Sequence, residues 1–405
     1  MSLMSSLYTG QSGLSANSVD LTVIGDNIAN ANTIGFKGSR AAFEAALSQS
    51  VINGGQLGMG VNVQAIQRMM QQGSLANTGI ATDLAIDGNG MFVVKGNHAG
   101  QQGTWYTRAG QFTVDADGFL VNLEGLKVQG YPADALGTVS SIAGDLQVGE
   151  ASSAPKPTGT VDIQANLSAD DSVPILTWDA TDPTNTSNFA TPTEIYDSLG
   201  IKHDATIYYC KTASGAWDWH VMADGAEVGT GSLTFDTNGN LTNPTASFSF
   251  SPAGATAPQT VNLDFTGTTQ FGGENANRFT SQDGWASGEL SSVAINAKGE
   301  IIGAFSNGQT RTLGNVALAD FPAPDKLRSI GGNLFGMTPD SGDALVGRPR
   351  EASRGSLVSG ALEQSNVDLA GEFVKMISAQ RGFQANSKTI STADSLLAEL
   401  MALKR

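Results

Sequence analysis

Leu7, Leu14, Leu21 and Ile28 stand seven residues apart at one end of this chain. At the other end Leu362, Leu369, Met376, Phe383, Ile390 and Leu397 keep the same interval over six consecutive positions. Leu3 and Ile24 widen the first line, and Phe373, Ala379, Ala393 and Leu400 the second, by the three- and four-residue steps that a helix brings to one face. The spacing predicts an N-terminal helix of about 30 residues and a C-terminal apolar line of about 50 Å at about 1.5 Å per residue. A seven-residue repeat drifts against the 3.6-residue turn, so a helix that holds such a line on one partner winds left-handedly around it. The pattern asks for a partner helix; the alternative is an amphipathic helix packed along its own domain.

Both lines are narrow. Four residues after each C-terminal heptad position come Asn366, Phe373, Gln380, Ser387, Asp394 and Met401, a column rich in polar groups. Gly10, Gly13, Gly25, Gly371 and Gly382 each cost about 1 kcal/mol against Ala in a helix interior. The two ends are therefore expected to be disordered in a free monomer and to fold on assembly.

Between the ends the pattern changes to short alternating runs broken by Gly, Asn and Asp, which predicts β-structure with tight turns. One signature recurs in Val114–Leu120, Phe235–Leu241 and Ile295–Ile301, each with a Gly (Gly118, Gly239, Gly299) where a type I turn followed by a left-handed residue needs positive φ. Asp87-Gly88-Asn89-Gly90 is read as one more hairpin turn, because the following MFVV reads as a strand and not as the helix a dinucleotide fingerprint needs. Ser/Pro-rich sequence at 151–158 and Gly-rich sequence at 272–288 mark boundaries. The expected fold is mixed: mainly β domains in the middle of the chain, with paired N- and C-terminal α-helices forming a coiled-coil-like inner domain. Residues 1–70 with 356–405 form the terminal helical and linker part. Residues 71–149 with 285–355 form an inner β domain, and 150–284 an inserted outer acidic β domain.

Charge and chemistry narrow the function. Residues 150–284 hold 16 acidic and 4 basic residues, −12 of the formal net charge of −16. Such a surface repels phosphate backbones and anionic lipid, which excludes nucleic acid and membrane-surface partners. No stretch approaches the roughly 20 apolar residues that span a bilayer, and residues 1–30 lack the basic start of a cleavable signal. The single cysteine, Cys210, rules out an intramolecular disulfide, and no Cys/His run has zinc spacing. His98, His203 and His220 stand apart, with no nucleophile elbow and no HExxH nearby. Asp115-Ala116-Asp117-Gly118 and Asp236-Thr237-Asn238-Gly239 lack the glutamate that closes a calcium loop. No catalytic residue, cofactor or metal is expected. The rival reading from another class is a secreted glycan-binding β protein that stacks sugars on Trp217 and Trp219, which alternate with Asp218 and His220 along one strand.

Residues 26–37 read DNIANANTIGFK. Ile28, Ala29, Asn30, Ala31, Asn32, Thr33, Gly35, Phe36 and Lys37 resemble the IANANT-GFK signature that follows the first helix in the flagellar rod, hook and hook-associated proteins; Asp26 stands where that family usually has Asn. DLAIDGNGMFVV (83–94), YTRAGQFTVDADGFLVN (106–122) and VQGY (128–131) are similar to the first β segment of the family, with Met91 in place of the usual aromatic residue. SNVDLAGEFVKMISAQRGFQANSKTISTAD (365–394) is similar to the hook version of the terminal helix. The resemblance implies a homopolymer: the extracellular flagellar hook, a curved tube that couples motor to filament. It further implies export of the unfolded subunit through the flagellar type III export apparatus, without a cleaved signal, and contact with the distal rod protein, the hook cap protein and the hook–filament junction protein. A distal rod or hook-associated protein is the alternative within the family; distal rod proteins share these ends but lack an insertion like 150–284.

Overall fold

A computed structural model describes residues 3–52, 55–149 and 151–403. Helices close both ends, Leu3–Ala29 and Leu369–Leu403, and β-structure fills the middle, as the periodicities predict. The N-terminal helix stops at the asparagines of the motif. Asn30 Nδ2 donates to the Asp26 carbonyl at 3.0 Å, the Thr33 hydroxyl donates to Asn30 Oδ1 at 3.1 Å, and Gly35 turns the chain at φ +69°. Asp368 starts the C-terminal helix by accepting the Ala370 amide at 3.1 Å.

Two elements depart from the expectation. Leu362 is not helical: Ala361–Glu363 is a strand paired with Leu75–Asn77, and Leu362 is buried there. The helix cannot extend back to it because Asn366 spends its side chain on backbone, accepting the Gly38 amide at 2.8 Å and donating to the Met69 and Gln71 carbonyls. The second departure is a long hairpin, Ser39–Ile52 with Gly55–Arg68, in a stretch expected to be linker. Its first strand contains Ala-Ala-Phe-Glu-Ala-Ala, good helix formers, so pairing overrides propensity. Asn27 anchors it to the N-terminal helix, donating to the Ser39 carbonyl and accepting the Ser39 amide, both at 2.8 Å.

The chain divides into two compact units, Met1–Ala151 with Ser292–Gly303 and Thr310–Arg405, and Ser152–Ser291 with Ala304–Gln309. In the first, Met91–His98 lies between Gln101–Thr107 and Lys127–Pro132 in an antiparallel sheet, and Met91, Val93, Tyr106, Phe321 and Phe335 share its core. Asp87–Gly90 is not a hairpin turn, because Leu84–Asp87 pairs with Ser356–Ser359 and not with the strand that follows. In the second unit, an antiparallel meander (Phe189–Tyr196, Lys202–Ala213, Ala216–Ala223, Ala226–Thr234) and a four-stranded sheet that includes Thr160–Asn166 and Gln259–Asp264 contribute to one core around Trp217, Tyr209 and Phe265. Trp217 is 0% and Trp219 2% exposed, so neither offers a face to a sugar, and the glycan-binding reading falls.

The predicted turns occur, and more often than expected. At Asp115, Asn122, Asp134, Asp197, Asp236 and Asn296 the side-chain Oδ1 accepts the amides two and four residues on, at 2.7 to 3.1 Å. The Gly three residues on sits at φ between +78° and +83° in every one. The signal is Asx-x-x-Gly, which the sequence carries at all six places. Within the second unit two of these carboxylates titrate below the ordinary range. At Asp197 burial opposes ionisation, but the Ile201 and Leu199 amides and His203 outweigh it; at Asp236 the Asn240 amide leads. A carboxylate whose folded pKa is depressed stabilises fully above its unfolded value, about 4. That stability is lost as pH falls through the folded value. Acid titration of the full chain, followed by tryptophan emission, should therefore show the buried Trp217 and Trp219 becoming solvent-exposed below about pH 4, and Asp197→Asn should make the acid dependence shallower.

Candidate functional site

The two terminal helices pack on each other through small residues. A Cβ on Gly13 would stand 2.5 Å from Asn386 Nδ2, one on Gly10 2.8 Å from Ile390 Cγ1, and one on Gly382 2.9 Å from Asn17 Oδ1. The contact is reciprocal: Gly13 lies beneath Asn386 and Gly382 beneath Asn17, four residues away on each helix. Asn17 is held in place by donating to the Gly13 carbonyl at 2.7 Å. The glycines that weaken each helix alone are thus what lets the backbones approach. Ala16, Ala379 and Ala393 are buried.

The predicted heptad lines divide between this seam and solvent. Leu7, Leu14, Leu21, Ile28, Met376, Ile390 and Leu397 are half-buried. Leu369, Phe373 and Phe383 are 41%, 50% and 39% exposed, with Val374 and Ile377 exposed beside them. At 3.6 residues per turn Leu369, Phe373 and Ile377 climb one flank of the helix while the paired residues hold the other. The side chains of Leu3 and Leu400 lie outside the described residues.

Beneath the helices is an ionic node that sequence reading missed. Glu363, fully buried, receives Lys37 Nζ on Oε1 at 2.6 Å and Arg108 Nη1 on Oε2 at 3.0 Å. The Gly73 amide donates to Oε1 at 2.8 Å, and the Gly35 amide to the Glu363 carbonyl at 2.8 Å. Each cation also reaches one carbonyl: Lys37 that of Gln71 at 2.7 Å and Arg108 that of Gly88 at 2.8 Å. Burial lowers the Lys37 pKa, and Glu363 opposes the shift. Of the motif residues, Lys37 is the ion, Gly35 is the amide donor whose Cβ would stand 2.6 Å from the Ala109 nitrogen, and Asn30 and Thr33 end the helix. Asn333 carries the intervening turn by donating to the Ile34 carbonyl at 2.9 Å. Arg108 left a trace in sequence as a lone cation in a strand-rich run. Glu363 was hidden because its neighbour Leu362 fitted the heptad.

Among the described residues no group of His, Cys, Asp or Glu is placed to hold a metal ion. His98, His203 and His220 each pair with a carboxylate, of Glu124, Asp224 and Glu227. Cys210 is buried, and burial pushes its thiol up to about 11, far from a reactive thiolate. No described helix is long and apolar enough to cross a membrane.

Four segments of this chain, whose ends pair as helices and are tied to a β unit through Lys37 and Glu363, match family models of flagellar axial proteins. They are the flagella basal body rod protein (residues 7–37), the flagellar hook protein FlgE/F/G D1 domain (85–168), the flagellar basal body protein FlaE D2 domain (162–285) and the flagellar basal body rod FlgEFG protein C-terminal (358–403). The chain is 35% identical to the flagellar hook protein FlgE of Escherichia coli over 97% of its length and 98% of that protein's. It is likewise 35% identical to flagellar hook protein FlgE of Borreliella burgdorferi over 99% and 100%. The crystal structure of Helicobacter pylori flagellar hook protein FlgE2 shares the fold, with a TM-score of 0.51 at 17% identity, covering 71% of this chain and all of that one. The chain belongs to the flagellar hook protein FlgE family, and is a structural subunit of the flagellar hook, in a family that is not one of enzymes.

Removing Glu363 leaves two buried cations with no counter-charge. Glu363→Ala should lower the unfolding free energy of the full chain by about 3–5 kcal/mol, the usual loss on breaking a buried pair, read from the urea midpoint. Glu363→Gln, which keeps shape but not charge, should recover only part of it.

Proposed function

We propose that the chain builds the hook wall through the free flank of its C-terminal helix, and that Leu369, Phe373, Ile377 and Phe383 meet helices of neighbouring copies. The observation that carries this reading is an apolar stripe left exposed on a helix whose other flank is already paired. A solitary subunit gains nothing from such a stripe, whereas heterologous contacts that do not close into a ring give an open helical tube. Leu7, Leu14, Leu21, Ile28, Met376, Ile390 and Leu397 hold the pair together; Lys37 and the rest of the motif fix the pair to the β-structure.

On this reading residues 1–70 with 356–405 line the tube, 71–149 with 285–355 surround them, and 150–284 lie outermost. The net −12 of that last segment favours weak, hydrated contacts that re-register while the hook bends and turns, as a universal joint requires. The subunit is delivered unfolded by the flagellar type III export apparatus, a route that suits a chain with one cysteine and no disulfide to form. It polymerises under the hook cap protein, on the distal rod protein, and is followed by the hook–filament junction protein.

Leu369→Asp or Phe383→Asp places a charge in the wall contact, where desolvation penalises it heavily. Each should abolish tubes in electron micrographs while circular dichroism shows the β content of the monomer unchanged. Normal tubes from both would refute the stripe as the assembly surface.

A further inference from the structure

The second unit carries an apolar loop that its own core does not use. In Val173-Pro174-Ile175-Leu176, Ile175 is 100% exposed, and Val173 and Leu176 are more than half exposed. The loop is nevertheless clamped at both ends. At its start the buried Lys211 donates to the Ala169 and Asp171 carbonyls at 2.6 and 2.7 Å, and Asn188 donates to the Ser172 carbonyl at 2.9 Å. At its end the Trp178 ring stacks on His220 at 4.2 Å, and both donate to Glu227. A lysine turned inward to hold two carbonyls and a stacked tryptophan pre-organise a loop whose exposed content is apolar. Pre-organisation of that kind lowers the cost of binding.

The same unit also shows an open acceptor. Ala276–Gln282 is an edge strand, paired on one side only, with Phe279 49% exposed. Next to Phe279 stands Arg278, exposed. The other basic residues of 150–284 are engaged: Lys156 with Asp283, Lys202 with Glu194, and Lys211 with the two carbonyls. Among the described residues Arg278 has no such partner. The apolar loop has Asp170 and Asp171 before it and Asp179 and Asp182 after it. An apolar tip between acidic flanks matches an aromatic ring beside a free cation, and like-charge repulsion disfavours most other contacts between two such acidic surfaces.

We infer that in the polymer the Val173–Leu176 loop of one copy seats on Arg278 and Phe279 of a second copy, a head-to-tail contact between second units. The inference rests on the assembly reading above and gives the outermost segment one specific contact within its otherwise hydrated surface. Two non-identical patches, one from each copy, make a heterologous contact, which joins copies in an open series when the rotation does not close.

Two full-length variants, Ile175→Cys and Phe279→Cys, test it, each polymerised alone and as an equal mixture, then oxidised and run on a non-reducing gel. A disulfide-linked dimer is expected in the mixed polymers, and neither in single-variant polymers nor in unpolymerised mixtures. Arg278→Glu in the Phe279→Cys partner should cause its loss. Wild-type polymers supply the background, since the native Cys210 is buried. Mixed tubes without dimer overturn the contact, as does dimer in Ile175→Cys tubes alone, which would mean like loops meeting. Wild-type protein that forms no tube fails at the earlier step and overturns the assembly reading itself.

Discussion

Two cations and one carboxylate, buried together at Lys37, Arg108 and Glu363, hold both ends of the chain to the same β unit. Taking three ions out of water is costly, and a well-packed apolar cluster of the same volume would give comparable or better stability. What the ionic arrangement adds is uniqueness. The carboxylate has one oxygen for each cation, and each cation sends another hydrogen to one particular carbonyl, of Gln71 or Gly88. A register shift of either terminal segment would strand a charge. The starting point and direction of both helices therefore follow from the node: Lys37 lies eight residues past the end of one helix and Glu363 six before the start of the other.

Given that register, the seam needs no deep apolar core. Glycine and asparagine interlock at two stations, with the buried Ala16 between them and Ala379 and Ala393 to either side. Larger seam residues would hold the helices further apart and use up the apolar surface that now stands free on the flank. Small residues inside and large ones outside thus leave one flank of the C-terminal helix apolar and exposed. The sidedness also explains why a single seven-residue line described the C-terminus imperfectly. That line runs along the border between seam and flank, so Met376 and Ile390 are half-buried while Leu369 and Phe383 are exposed.

Much of this was legible before any coordinates. The long helices follow from periodicity, and the turns from Asx and Gly three residues apart, because both are local consequences of backbone geometry. The family signature located the junction. The rest depended on partners distant in the chain. Glu363 is a strand residue because Leu75–Asn77 pairs with its segment, and nothing near residue 363 announces that pairing. Ala41–Ala46 fell within the expected linker, and its pairing is decided by the second strand of its hairpin, which its own helix-forming composition does not announce. Asp87–Gly90 had the composition of a hairpin turn but joins strands with different partners, a matter of topology.

The separations involved also order the folding. The meander from Phe189 to Thr234 joins neighbours in sequence, so its hydrogen bonds close short loops. The Lys37–Glu363 contact closes a loop of 326 residues, and Asn27 meets Glu372 across 345. Closing such loops costs less entropy once the intervening chain is compact, so loop closure favours local β-pairing ahead of the contacts between the two ends. Until Glu363 is present Lys37 and Arg108 have no counter-ion, and until residues 369–403 are present Gly10 and Gly13 only weaken an isolated helix. The exposed apolar flank of the C-terminal helix consequently takes its final position only when that helix packs.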